Sequence, residues 1–132
     1  MKVEKITFKD QILAIVVRNG STNQELEWPT PPDFPLQLGI HERKKGSFLI
    51  PHNHIPFDVL KNLQVQEFIY LEKGKLKFFL YHEKKEVETV ILNAKEMILL
   101  NCGHSVEFLE DSKIVEIKQG PYRGNDMEKE YF

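Results

Sequence analysis

Three observations predict an all-β protein. Apolar and polar side chains alternate with a period of two, turn residues recur at short intervals, and no stretch carries the 3.6-residue apolar repeat of a helix. About nine short strands at this spacing predict a sandwich or an antiparallel barrel.

The elements follow in order. Lys2–Phe8 and Ile12–Val17 are the first two strand candidates, closed by Asn19-Gly20. Trp28 to Pro35 carries four of the seven prolines. Proline fixes φ and lacks an N–H, so this stretch is expected as an extended connection packed by Trp28 and Phe34. Leu36, Leu38 and Ile40 then alternate with Gln37, Gly39 and His41, and Lys45-Gly46 ends that strand. Phe48, Ile50, His52 and His54 are in phase and predict another. Glu67 opens the apolar run Phe68-Ile69-Tyr70-Leu71, and Lys73-Gly74 turns it. Leu76, Phe78 and Leu80 predict the next strand, with a turn at His82 to Lys85 and a strand through Val87, Thr89 and Ile91. His104, Val106 and Phe108 share one face. Glu110-Asp111-Ser112 turns the chain into Ile114–Lys118. Only Asp58 to Asn62 offers room for a single helical turn.

Composition narrows the function classes. The chain of 132 residues is expected to be one domain over 1–132. With 41% hydrophobic residues, 29% charged residues and a net charge of −2, it has enough apolar matter for a core and no basic excess for nucleic acid. Arg43-Lys44-Lys45 reads as a solvated turn. Cys102 is the one cysteine, which excludes an internal disulfide and fits a reducing compartment. No apolar signal segment and no run long enough to cross a membrane is present, so no membrane partner and a cytoplasmic location are expected.

The residues that carry chemistry are His52, His54, Glu67 and His104. On a strand, two histidines two apart point to one face, roughly 7 Å apart along the backbone. Glu67 and His104 open two further strands. Three imidazoles and a carboxylate suit a divalent metal ion such as iron, manganese, nickel or zinc. Phase places them with Phe48 and Ile50, with Val65, Ile69 and Leu71, and with Val106 and Phe108. A closed β structure with an apolar bore and a few convergent polar groups is the expectation, as in most small-molecule sites. The other titratable groups have plainer readings. His41 and His82 are expected in solvent, Cys102 as a small buried hydrophobe, Tyr70, Tyr81 and Tyr122 as packing residues, and Lys118 as a rim partner of Glu116. Phe68 and Tyr70 make their strand apolar on its outer face as well. A homodimer partner, or the N-terminal strands, would have to cover them.

Gly46, His52, His54, Glu67 and Gly74 resemble the first motif of the cupin superfamily, small proteins built as a double-stranded β-helix. That motif runs glycine, five residues, His-x-His, a short gap, glutamate, six residues, glycine. The gap from His54 to Glu67 is twelve residues here, longer than the motif's. Of the second motif His104 is kept, while Asn93, Leu99, Asn101 and Phe108 stand at its glycine, proline, glycine and asparagine places. The likeness covers about residues 36 to 119, with the N-terminal strands and C-terminal tail expected to pack on that barrel. Glu116 to Tyr122 and the closing Tyr131-Phe132 are similar to stand-alone bacterial cupins linked with surface-polysaccharide or nucleotide-sugar pathways.

Two function classes follow. One is a metal-dependent enzyme acting on a sugar or related oxygenated substrate, an isomerase, epimerase or dioxygenase. The other is a sugar-binding protein without turnover. A variant is implied by the metal-free nucleotide-sugar epimerases and ketoisomerases of the same fold, with His52 or His104 as base and a tyrosine as acid. Glu67 discriminates, because a carboxylate converging with three neutral histidines suits a cation better than proton transfer. The segment Ile55 to Gln66 carries Ile55, Pro56, Phe57, Val59 and Leu60. It is expected at the mouth of the barrel, either as a lid closing Phe57 or Leu60 over a ligand or as a static plug folded back on the barrel.

Overall fold

The computed structural model describes residues 2–20, 24–52, 54–58 and 62–132. Its strands are β1 (Lys2–Phe8), β2 (Gln11–Arg18), β3 (Leu26–Glu27), β4 (Ile40–His41), β5 (Glu67–Lys73), β6 (Lys75–His82), β7 (Lys85–Asn93), β8 (Met97–Leu100), β9 (Gly103–Phe108) and β10 (Lys113–Lys118). One short helix, α1 (Asn125–Glu128), lies in the tail. Every pairing is antiparallel. A five-stranded sheet runs β1-β2-β8-β5-β10, a three-stranded sheet runs β7-β6-β9, and β3 and β4 form a separate ribbon. The all-β expectation holds.

The core lies between the two larger sheets. Ala14 and Val16 of β2, Ile98 and Leu100 of β8, and Ile69 and Leu71 of β5 meet Leu76, Phe78 and Leu80 of β6 and Val90 and Leu92 of β7. Burial of Phe78 and its neighbours is the main stabilising term, about 1.5–3 kcal/mol for each large apolar side chain. Two hairpins are closed by two-residue turns whose central residues have positive φ: Lys9 and Asp10 (48° and 63°), and Glu83 and Lys84 (49° and 64°). That handedness matches the twist of the flanking strands. Gly74 turns β5 into β6 at φ 104°. A Cβ there would stand 2.6 Å from the Asp111 carbonyl oxygen and run into Ser112, so only glycine fits.

The expected closed barrel is corrected. β9 and β10 are both edge strands, and the flank between them is open. Of Leu36–Ile40, only Ile40 enters a ladder, against Glu27. The reason lies in its hydrogen bonds. The Leu36 amide donates to Gln66 Oε1 (3.1 Å) and the Leu38 amide to Thr30 Oγ1 (3.1 Å). Gln37 Nε2 donates to the carbonyls of Pro31 and Phe34 (2.9 and 2.8 Å). Side chains have taken the groups a strand would need. Residues 47–52 also form no strand, and Phe48 and Ile50 are 78% and 77% exposed instead of lining a bore.

β8 was not anticipated. Ile98-Leu99-Leu100 is a continuous apolar run, because all three are buried and their strand is covered on both faces. The N-terminal strands do not cover Phe68 and Tyr70 either. They extend the same sheet, beyond β8. The single helical turn considered for Asp58–Asn62 falls largely on residues 59–61, outside the described residues, as does Leu60 of the expected lid. Phe57 is exposed.

Candidate functional site

Glu67 is the first residue of β5, paired with Leu100 on one side and Lys118 on the other. His104 lies on β9 opposite Leu80. They belong to different sheets and face each other across the interior, with His104 Nε2 3.1 Å from Glu67 Oε2. Both side chains are about four-fifths buried, at 22% and 18% exposure. His104 Nδ1 lies 2.9 Å from the Cys102 carbonyl oxygen. A carbonyl only accepts, so Nδ1 carries the proton and donates. Nε2 then meets a carboxylate that also offers lone pairs. Two such groups at this distance need a shared proton or a bound metal ion, and the electrostatics place the proton on Nε2.

The electrostatics agree. The hydrogen bond from His104 holds Glu67 below the usual carboxylate pKa, against burial. Burial disfavours the His104 imidazolium, yet Glu67 and the Cys102 carbonyl outweigh it and raise its pKa above the ordinary value. Glu116 of β10, opposite Ile69, is a third participant. Its carboxyl is pushed up, first by burial and then by the Glu67 charge. Lys118 favours the ionised form of both glutamates. The position of Glu116 had a sequence signal, since it is in phase with Ile114 of the same strand.

Glu67, His104 and Glu116 line a cavity of about 640 Å³ on the open flank. Its apolar floor includes Ile69, Leu76, Val106 and Ile114. The tail from Glu128 to Phe132 runs along it. Phe132 stacks edge-on against Tyr81 with ring centres 5.2 Å apart, and Glu130 pairs with Lys84. Tyr81 also shares a hydrogen bond with Ser105 (3.3 Å).

A buried amide network places Glu67. Gln66 is wholly inaccessible to solvent. Its Nε2 donates to Asn101 Oδ1 (2.9 Å) and its backbone N–H to Gln119 Oε1 (2.8 Å). Asn101 Nδ2 in turn donates to the Ile12 carbonyl (3.0 Å). Nothing in the periodicity singled these amides out.

His52 and His54 are elsewhere. They are exposed, with rings edge-on at 5.2 Å, and His52 Nδ1 lies 2.7 Å from the Ile50 carbonyl. Among the described residues no three histidine, cysteine, aspartate or glutamate side chains converge as a metal site. The expected set therefore stands as two pairs, Glu67 with His104 and His52 with His54. His41 is exposed, edge-on to Trp28 and accepting from Arg43. His82, expected in solvent, instead packs on Phe8 with ring centres 5.2 Å apart and keeps only 18% of its side chain exposed. Cys102 is partly buried, and burial pushes its thiol pKa up, away from reactivity. Tyr122, expected to pack, is largely exposed. The chain matches no known family, no curated protein and no solved structure with which it was compared.

Proposed function

We propose that the protein is a metal-binding cupin-type protein, with its ion held at Glu67 and His104. One observation carries the reading. His104 is fixed through Nδ1 by the Cys102 carbonyl and aims Nε2 at the Glu67 carboxylate 3.1 Å away, in a half-buried cavity. An imidazole oriented by a carbonyl on its far nitrogen is how histidine ligands are commonly held. His52 and His54 would supply two further imidazoles, from a segment that has no ladder partner among the described residues, while β9 is an edge strand. The donor set fits iron, manganese, nickel or zinc.

When bound, such an ion polarises the carbonyl or hydroxyl oxygens of a small oxygenated substrate. The chain's own residues do the rest. The apolar floor of Ile69, Leu76, Val106 and Ile114 gives the substrate a non-polar contact surface. Glu116, whose carboxyl is pushed up by burial and by the Glu67 charge, lines the same cavity and would give or take a proton at a substrate oxygen or carbon. An isomerase or epimerase of a sugar or related compound uses these parts, and a dioxygenase uses the same ligands. A metal-free reading rests on one observation as well: Glu67, His104 and Glu116 form a compact acid–base group without His52 and His54.

Metal analysis of protein purified without chelator or histidine tag separates the two. One equivalent of metal, lost in His104→Ala and in Glu67→Ala, supports the first. A metal-free protein whose affinity for zinc and manganese is unchanged by either substitution overturns it and leaves the acid–base reading.

A further inference from the structure

A second and larger cavity, of about 740 Å³, adjoins the first. Gln64, Cys102 and Gly103 belong to the walls of both. Gly103 carries no side chain into that shared wall. A Cβ there would already press to 3.3 Å from the Phe132 ring. Each volume suits one small-molecule moiety, and together they suit an extended ligand.

The chemistry of the second lining is one-sided. Asp10, Asp33 and Glu83 supply carboxylates, Gln11 and Asn62 supply amides, Phe34 supplies an aromatic face, and the one imidazole, His82, lies 3.9 Å from the Glu83 carboxylate. Among the described residues lining it there is no lysine or arginine. Such a wall accepts hydrogen bonds from hydroxyl and ammonium groups and repels phosphate or carboxylate.

The walls are also held in place without a ligand. The loop of Asp33 and Phe34 is tied by Gln37 to the carbonyls of Pro31 and Phe34. Asp10 stands in a two-residue turn at φ 63°. Gln119 Nε2 grips the Gln64 carbonyl at 3.0 Å. Preformed walls lower the ordering cost of binding.

We infer that the second cavity is the recognition subsite for a neutral or amino-bearing polyhydroxylated group, attached to a substrate whose reacting end lies at Glu67 and His104. The location of the reacting end rests on the function proposed above; the subsite itself does not. The selection against phosphate is its distinguishing property.

The test is an amide NMR titration of the metal-free protein with D-glucosamine, D-glucose and glucose 6-phosphate in turn. The expected result is shifts at Asp10, Gln11, Asp33, Gln64 and Gly103 with the first two probes, and binding weakest for the phosphate ester. Asp33→Asn, on an exposed loop, should weaken glucosamine about tenfold, the loss of one charge-assisted hydrogen bond. No shifts at these residues, or a phosphate ester bound as tightly as glucosamine, overturns the subsite. A parallel zinc titration reports on Glu67 and His104 alone. Sugar shifts without zinc binding keep the subsite and discard the metal. Zinc binding without sugar shifts does the reverse.

Discussion

The side chain of Gln66, itself wholly buried, donates to that of half-buried Asn101 at 2.9 Å, and so joins the residue before Glu67 to the segment that leads into His104. A carboxylate and an imidazole from different sheets are held to one distance by an amide pair that touches neither. Gln66→Leu keeps the volume roughly but strands the Leu36 amide and the Asn101 oxygen. The expected cost is about 2–4 kcal/mol, read as a lower urea midpoint with an unchanged slope. A cost under about 0.5 kcal/mol would mean that water replaces the amide freely.

His104 should titrate above the usual histidine range in the metal-free protein. The sign follows from linkage. Because its folded pKa is raised, its contribution is full below the unfolded value near 6.5 and is lost as pH rises through the folded one. Glu67 is shifted the other way, so its contribution is present above 4.5 and is lost as pH falls through its lowered value. The pair therefore stabilises most between those limits. In Glu67→Gln the partner's charge is gone and burial remains, so the His104 pKa should fall, with the Cys102 carbonyl and Glu116 still favouring the imidazolium. Histidine NMR titration reads both directions, and an unmoved His104 in the variant would place the cause of its shift elsewhere.

Gly74→Ala is expected to cost about 2 kcal/mol or more, from positive φ and the crowding of Asp111 and Ser112. Thermal unfolding measures it. Gly46→Ala is the control. It also has positive φ, at 90°, but no atom within 4 Å of its Cβ, so it should cost less.

The double variant His52→Ala, His54→Ala should lower metal affinity and leave the fold intact, since neither ring enters the core. Calorimetric zinc titration with circular dichroism checks both halves. Unchanged zinc affinity would confine the ion to Glu67, His104 and their neighbours.

A homodimer is the expected partner for the outer face at β10. Register sets Phe68 beside Ile117 and Tyr70 beside Val115, and the two β10 side chains are 56% and 50% exposed. Light scattering at micromolar concentration should give twice the chain mass, and Ile117→Lys should return the monomer. A wild-type monomer would leave the patch uncovered.

Strands with one wet face were legible from the alternation, as for β6, β7 and β9, while β2 and β5 were legible as apolar runs bounded by turns, β2 being buried on both faces. β8 was not, because its four residues form an apolar run too short to stand out and carry no alternation to read. Leu36–Ile40 alternates yet does not pair, since its amides go to Thr30 and Gln66, and such side-chain competition leaves no periodic trace. For the site, phase and the motif resemblance grouped His52, His54, Glu67 and His104, and the structure brings together Glu67 and His104, thirty-seven positions apart. Among the described residues His52 and His54 pair only with each other, because phase says which way a side chain points only once a ladder exists. Glu116 was legible in principle, sharing the face of Ile114, but a charged residue in an edge strand is more readily taken for a solvated one.

The connectivity has a kinetic consequence. Hairpins β1–β2 and β6–β7 join neighbours in sequence and can close early, whereas β2–β8 pairs Ala14 with Leu100 and β10–β5 pairs Lys118 with Glu67. Such distant pairings carry the loop-closure entropy and form late. Glu67 and His104 sit on strands that meet only after those closures. Occupancy of their cavity therefore acts on the completed domain, slowing its unfolding while leaving its rate of folding almost untouched.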